Sequence, residues 1–234
     1  MRKLLLLLVL VSQSAFGAYT FIQRGHICCS NPNVIVMPGA TTTGSLLVVG
    51  ASIVQEPVHH VVSIAGGGVT TWVKAASSNV TTDLEVWYGI VASGSSTAIT
   101  VTFDAAPHIA QSWAMEFSES SGTPGGVDQT STSTSSGSPI SSGSVTTSAA
   151  ADLVIAVVAR GSGGSNYTGG PSDSFIRTPN NSTSDFIQVA YQIETATGTF
   201  STSWTYASGN ADGVIVAFLP AETSGTTFVP SNIY

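Results

Sequence analysis

Asp83-Leu84-Glu85-Val86-Trp87-Tyr88-Gly89-Ile90 alternates with a period of two. Leu84, Val86, Tyr88 and Ile90 point one way; Asp83, Glu85, Trp87 and Gly89 point the other. That period is the mark of a half-buried β-strand. Asp185 to Ile193 repeats the pattern, with Ile187, Val189, Tyr191 and Ile193 on one face and an offset of 103 from Tyr88 to Tyr191. Working outward, Leu46-Leu47-Val48-Val49 matches Leu153-Val154-Ile155-Ala156, Trp72-Val73-Lys74 matches Phe175-Ile176-Arg177, and Phe103 matches Trp204. Trp113, Met115 and Phe117 match Val214, Val216 and Phe218. A fixed period in sparse aromatic and basic residues predicts two pseudo-repeats, about 20–118 and 127–219.

The predicted fold is an all-β antiparallel sandwich. Leu46 to Ile53 is apolar on both faces, which predicts a central strand covered on both sides. Ala98 to Phe103 alternates cleanly, and Gly66-Gly67-Gly68 reads as a turn. The Ser/Thr/Gly-rich stretch from Ser118 to Ala151 has the composition of a linker. The match of Gln23 to Gln129 instead puts the opening strand of the second copy at Val127 to Thr134. One half has too few strands to cover both its faces, so the expectation is a single sandwich over 18–220 with a shared core. Residues 221–234 form a polar tail.

Composition bounds the function. Of 234 residues, 42% are hydrophobic, enough for a sizeable core. Only 8% are charged, about a third of the usual share, and the net charge is −7. No basic stripe is offered to phosphates, which argues against nucleic acid as a partner. Residues 1–17 read as a signal peptide: Arg2 and Lys3 precede an apolar run from Leu4 to Val11, and Ala15 and Gly17 supply small residues before a cut at Ala18. The run is far short of the roughly 20 residues that span a bilayer, so no transmembrane anchor is expected after cleavage. The expected setting is secreted, extracellular or cell-surface.

The order of motifs carries a resemblance. Gly44 to Val49, Thr70 to Trp72, Leu84 to Tyr88, Ala92 to Ser95, Thr100 to Phe103 and Val216 to Pro220 follow one another as G-[S/N]-L-L-V-V, T-x-W, L-x-x-W-Y, A-x-G-S, T-V-T-F and V-A-F-x-P. Over about Tyr19 to Pro220 the chain resembles a widespread group of uncharacterised secreted or surface β-sandwich domains of bacteria. The resemblance implies a jelly-roll-like sandwich in an extracellular setting and carries over no catalytic residue.

The chemistry-bearing residues are few. No G-x-S-x-G elbow is present. Asp83 and Glu85 lie on one strand face, about 7 Å apart by strand rise, and read as solvated acids on an outer face. Glu116 and Glu119 lie near the end of another strand. A sandwich glycosidase would need two carboxylates opposed across a cleft at about 5–9 Å. His59 and His60, if on a regular strand, point to opposite faces and cannot chelate one ion. No cofactor is expected; scattered loop oxygens are compatible with a structural calcium ion at most. Cys28 and Cys29 are adjacent, with four readings: free thiols, intermolecular disulfides, a bridge to each other, or metal ligation with His26.

Trp87 falls on the face opposite Tyr88, where the second copy carries Ala190. Either a loop covers it or it offers a flat surface to a sugar ring or a protein partner, with Glu85 and Asp83 beside it. The expected function is therefore an exported, non-catalytic sandwich with a structural or adhesive role, self-assembling or holding a surface protein. The alternative is a carbohydrate-binding module at Trp87, and a polysaccharide hydrolase is third.

Overall fold

A computed structural model describes residues 18–54, 59–94, 96–104, 110–161, 166–172, 174–177 and 186–221. The expected leader 1–17 and the tail beyond Ala221 lie outside them. Among the described residues there are sixteen strands and no helix, and hence no helix long and apolar enough to cross a membrane. The first eight are β1 (Tyr19–Cys28), β2 (Asn33–Val36), β3 (Leu46–Ile53), β4 (Val61–Gly66), β5 (Val73–Ser78), β6 (Asp83–Ile90), β7 (Ala98–Phe103) and β8 (Ala110–Glu119). Then come β9 (Val127–Ser135), β10 (Ile140–Thr146), β11 (Leu153–Arg160), β12 (Tyr167–Gly169), β13 (Ile176–Arg177), β14 (Ile187–Ile193), β15 (Thr199–Tyr206) and β16 (Ala211–Phe218). The Ser/Thr-rich stretch is thus not a bare linker: it holds β9 and β10.

All pairing is antiparallel. One five-stranded sheet has the order β1-β8-β3-β6-β5 and is accompanied by a three-stranded sheet β2-β7-β4. The other five-stranded sheet runs β13-β14-β11-β16-β9, with a three-stranded sheet β10-β15-β12. Adding eight to each strand of the first pair of sheets reproduces the order of the second.

Three apolar clusters stack these sheets into four layers. The central cluster joins Leu46, Val48, Leu84, Val86, Trp113 and Phe117 to Ile155, Val157, Val189, Val214, Val216 and Phe218. It lies between the two five-stranded sheets. A second cluster fills the space under the first three-stranded sheet, where Ile35, Ile99 and Val101 meet Leu47, Val49, Ala51 and Ile53. A third does the same with Ile140, Val145 and Trp204 against Val154, Ala156 and Ile215. Consecutive residues of β3 and of β11 therefore alternate between two cores, which is why Leu46–Ala51 and Leu153–Ala159 carry no polar side chain. Gly50 gives the space that Trp113 fills; a Cβ there would overlap the indole.

The core shared by the two halves is thus one of three. Each half covers one face of its large sheet with its own small sheet and leaves only the other face to be shared. Across that shared face the rings interlock. Tyr191 stacks on Phe21 at 5.3 Å and meets Phe117 edge-on at 5.2 Å; Tyr88 meets Phe218 edge-on at 5.3 Å. Polar ties reinforce the contact: Gln111 Oε1 accepts the N–H of Phe186 at 2.7 Å and of Ile187 at 3.0 Å.

Candidate functional site

The register of β6 assembles the site. Its neighbours are β3 and β5: Glu85 stands opposite Ala51 and Ser77, and Trp87 opposite Val49 and Lys74. Alternation puts Asp83, Glu85 and Trp87 on the face turned to β4 and β7. That face is not open. The three-stranded sheet lies over it, and Glu85 is only 1% exposed and Asp83 only 5%. The expectation of solvated acids on an outer face is corrected accordingly. The physical reason is the second sheet, which strand periodicity does not reveal.

A buried carboxylate must be bonded, and Glu85 is. Its Oε1 accepts the Val61 N–H at 3.2 Å; its Oε2 accepts the Trp87 indole N–H at 2.7 Å and pairs with Lys74 Nζ at 2.7 Å. The same Lys74 Nζ lies 5.1 Å from the centre of the Trp87 ring, a cation–π distance. Trp87 is half-buried, packed against the cluster beneath it, tied by its N–H and covered by an ammonium. Of the two readings open to the sequence, a covered ring or a bare platform, the ring is partly covered. Asp83 shares a hydrogen bond with Glu85. Burial first, then the charge and hydrogen bond of Glu85, push the Asp83 carboxyl well above its ordinary range.

Beside it, the lead-in to β4 and the end of β7 form a second knot. His59 Nδ1 and His60 Nδ1 each lie 3.0 Å from a different oxygen of Asp104. The two histidines were expected on opposite faces of a strand. They precede β4 instead, so both turn to one carboxylate.

Glu116 is fully buried on β8 and also spent internally. Its Oε1 accepts the Thr42 N–H at 2.6 Å and the Ser45 O–H at 2.7 Å, and its Oε2 accepts the Gln23 amide. It stands opposite Leu47, whereas Glu85 stands opposite Ala51, four residues along β3. That is about 13 Å of strand, too far for a glycosidase pair.

Cys28 and Cys29 are bonded to each other. The intermolecular reading is corrected, and both sulfurs are removed as thiolate ligands. The left-handed φ of 74° at Cys29 turns the chain at the end of β1, so the two side chains no longer alternate as in a strand. Among the described residues no group of three or more His, Cys, Asp or Glu is placed to hold a metal ion.

Sequence reasoning missed a carboxyl cluster in the second half. Burial, then the hydrogen bond and charge of Asp128, push the Asp152 carboxyl up to about 8. Burial pushes Glu194 up to about 7. Burial opposes ionisation of Asp128 too, but the Ser148 O–H at 2.6 Å and N–H at 2.7 Å outweigh it and hold its carboxyl below the usual range. These acids lie far apart in the chain, on elements no short motif joins.

Comparison with family models, with curated proteins and with solved structures gave no match. The functional reading therefore rests on the geometry above.

Proposed function

We propose that this is an exported, non-catalytic protein of the cell exterior with a structural or adhesive role, a surface or filament subunit. In this reading it is a jelly-roll-like sandwich built from two pseudo-repeats, similar over about Tyr19 to Pro220 to the uncharacterised surface domains of bacteria. The observation that carries the proposal is the use made of the buried carboxylates. Glu85, Glu116 and Asp212 are each ringed by donors of this same chain. They tie strands and halves together rather than opening onto a cleft, as suits a scaffold more than a hydrolase. The two-copy reading is supported by the strand order shifted by eight and by the matched ring pairs Phe117–Tyr191 and Tyr88–Phe218.

Immunogold electron microscopy of producing cells tests the proposal. Label on the outer surface or on filaments is expected, with a mature chain beginning at Ala18. Label confined to the cell interior, or release of reducing ends from polysaccharides by the purified protein, overturns it.

A further inference from the structure

One difference between the two halves lies beside the strand tyrosines. In the first half Val69 bridges to Val91, and its side chain lies over Gly89, where a Cβ would strike it. Gln192 holds the corresponding position in the second half, since Gly89 and Gln192 each follow the tyrosine of their strand, Tyr88 or Tyr191. There the segment that would supply the plug is drawn away. The Ser172 N–H donates to the Ser203 carbonyl at 3.0 Å, and the Thr202 O–H donates to the Ser172 carbonyl at 2.8 Å. What remains is a cleft of about 330 Å³ between β14 and β15, lined by Ser174, Phe175, Gln192, Thr199, Phe200 and Ser201.

The lining selects a ligand class. Phe200, half-buried, offers ring surface, while Phe175 is buried in the third cluster behind it. Gly198 leaves room for the Phe200 ring, since a Cβ there would lie 3.0 Å from it. The Gln192 amide donates to Glu194 only at 3.4 Å and keeps its carbonyl oxygen and most of its donor capacity. The hydroxyls of Ser174, Thr199 and Ser201 complete the wall, that of Thr199 shared with Thr146 Oγ1 at 2.9 Å. No lining residue is charged, and none is basic, so a phosphate finds no counter-ion there. A pyranose has the matching character: an apolar C–H face to lie on a ring and hydroxyls around its edge that donate and accept. The volume stands at the lower end of ligand sites, roughly 300–1,000 Å³, which fits one ring rather than a buried chain.

We infer that this cleft binds one ring of a neutral saccharide, with its face on Phe200 and its hydroxyls on Gln192 and the Ser/Thr wall. The inference goes beyond the scaffold role, which stands whether or not the cleft is filled. The test is saturation-transfer NMR and titration calorimetry on the mature chain with glucose, galactose, mannose and N-acetylglucosamine and their oligomers. At least one should bind. Gln192→Ala, and Ser201→Trp, which fills the exposed mouth, should each weaken that binding about tenfold or more with an unchanged melting temperature. If Ser201→Trp does not fold, Gln192→Ala decides. Absence of binding by every sugar, undiminished binding by Gln192→Ala, or preference for an anionic polygalacturonate overturns the inference. Localisation by microscopy is independent of all three.

Discussion

The carboxylate of Asp212 accepts the backbone N–H of Thr82 at 2.7 Å, across 130 residues of chain. The same side chain takes the N–H and O–H of Thr81 at 2.8 and 2.7 Å and the Ser78 O–H at 3.0 Å. One fully buried acid on β16 thus organises the β5–β6 turn of the other half. Asp212→Ala would leave these donors buried and unpaired. Urea denaturation should show a loss of about 3 kcal/mol or more, because hydrogen bonds to a charged acceptor exceed neutral ones. A loss below about 1 kcal/mol would mean that water replaces the carboxylate.

Glu85 reverses the ordinary expectation for a charged strand residue. With Lys74, Trp87 and the Val61 N–H all directed at it, Glu85→Ala should cost about 2–4 kcal/mol, whereas a surface site would cost about 0.5 kcal/mol or less. Glu85→Gln, which keeps the shape, should cost less than Glu85→Ala. The comparison is read from denaturant midpoints of the two variants.

Trp87→Ala should lower stability by about 3 kcal/mol, since it removes packing, an indole hydrogen bond and the seat of Lys74. Acrylamide quenching checks the environment, using a variant in which Trp72 is Phe to leave Trp113 and Trp204, both buried, as the background. An intermediate quenching constant is expected for Trp87. A value near that of free tryptophan would mean that the ring is open.

The rings of the central core predict an order of effects. Tyr191 lies between Phe21 and Phe117, while Tyr88 is half-buried and meets Phe218. Tyr191→Ala should cost about 3 kcal/mol or more, and Tyr88→Ala somewhat less. Equal or reversed effects in thermal melts would contradict this packing.

Stability should fall as the solution turns alkaline. Asp152 keeps its proton up to about pH 8 when folded but has an ordinary value of 3.8, and Glu194 keeps its own to about 7 against 4.5. Between these limits the folded chain binds more protons than the unfolded one, so stability declines as pH rises from about 4 to about 8. Asp128, shifted downward, acts oppositely but only below its ordinary value. Asp83 adds to the decline. The melting temperature should be higher at pH 5 than at pH 8.5 by about 3 °C or more, and Asp152→Asn should flatten the slope. A melting temperature that rises over this range would refute the protonated cluster.

The sequence by itself determined the central strands. Period-two alternation fixed the inward face of Asp83–Ile90, and the doubly apolar Leu46–Ile53 marked a strand between two cores; both are local properties of a pleated chain. It also placed Asp83, Glu85 and Trp87 on one face, because side chains at i, i+2 and i+4 share a side. What covers that face was decided only by tertiary structure. A strand's pattern states that a face is polar, not whether water or another sheet provides the partners. Glu85 reads as a surface acid until Val61 and Lys74, brought in by β4 and β5, supply its donors. Asp212 and Glu116 are legible only through partners 71 to 134 residues away. The cleft beside Gln192 depends on where Ser172 is tied. These are consequences of long-range pairing, in which a single carboxylate or hydroxyl finds its place through the closure of large loops rather than through its neighbours in the chain.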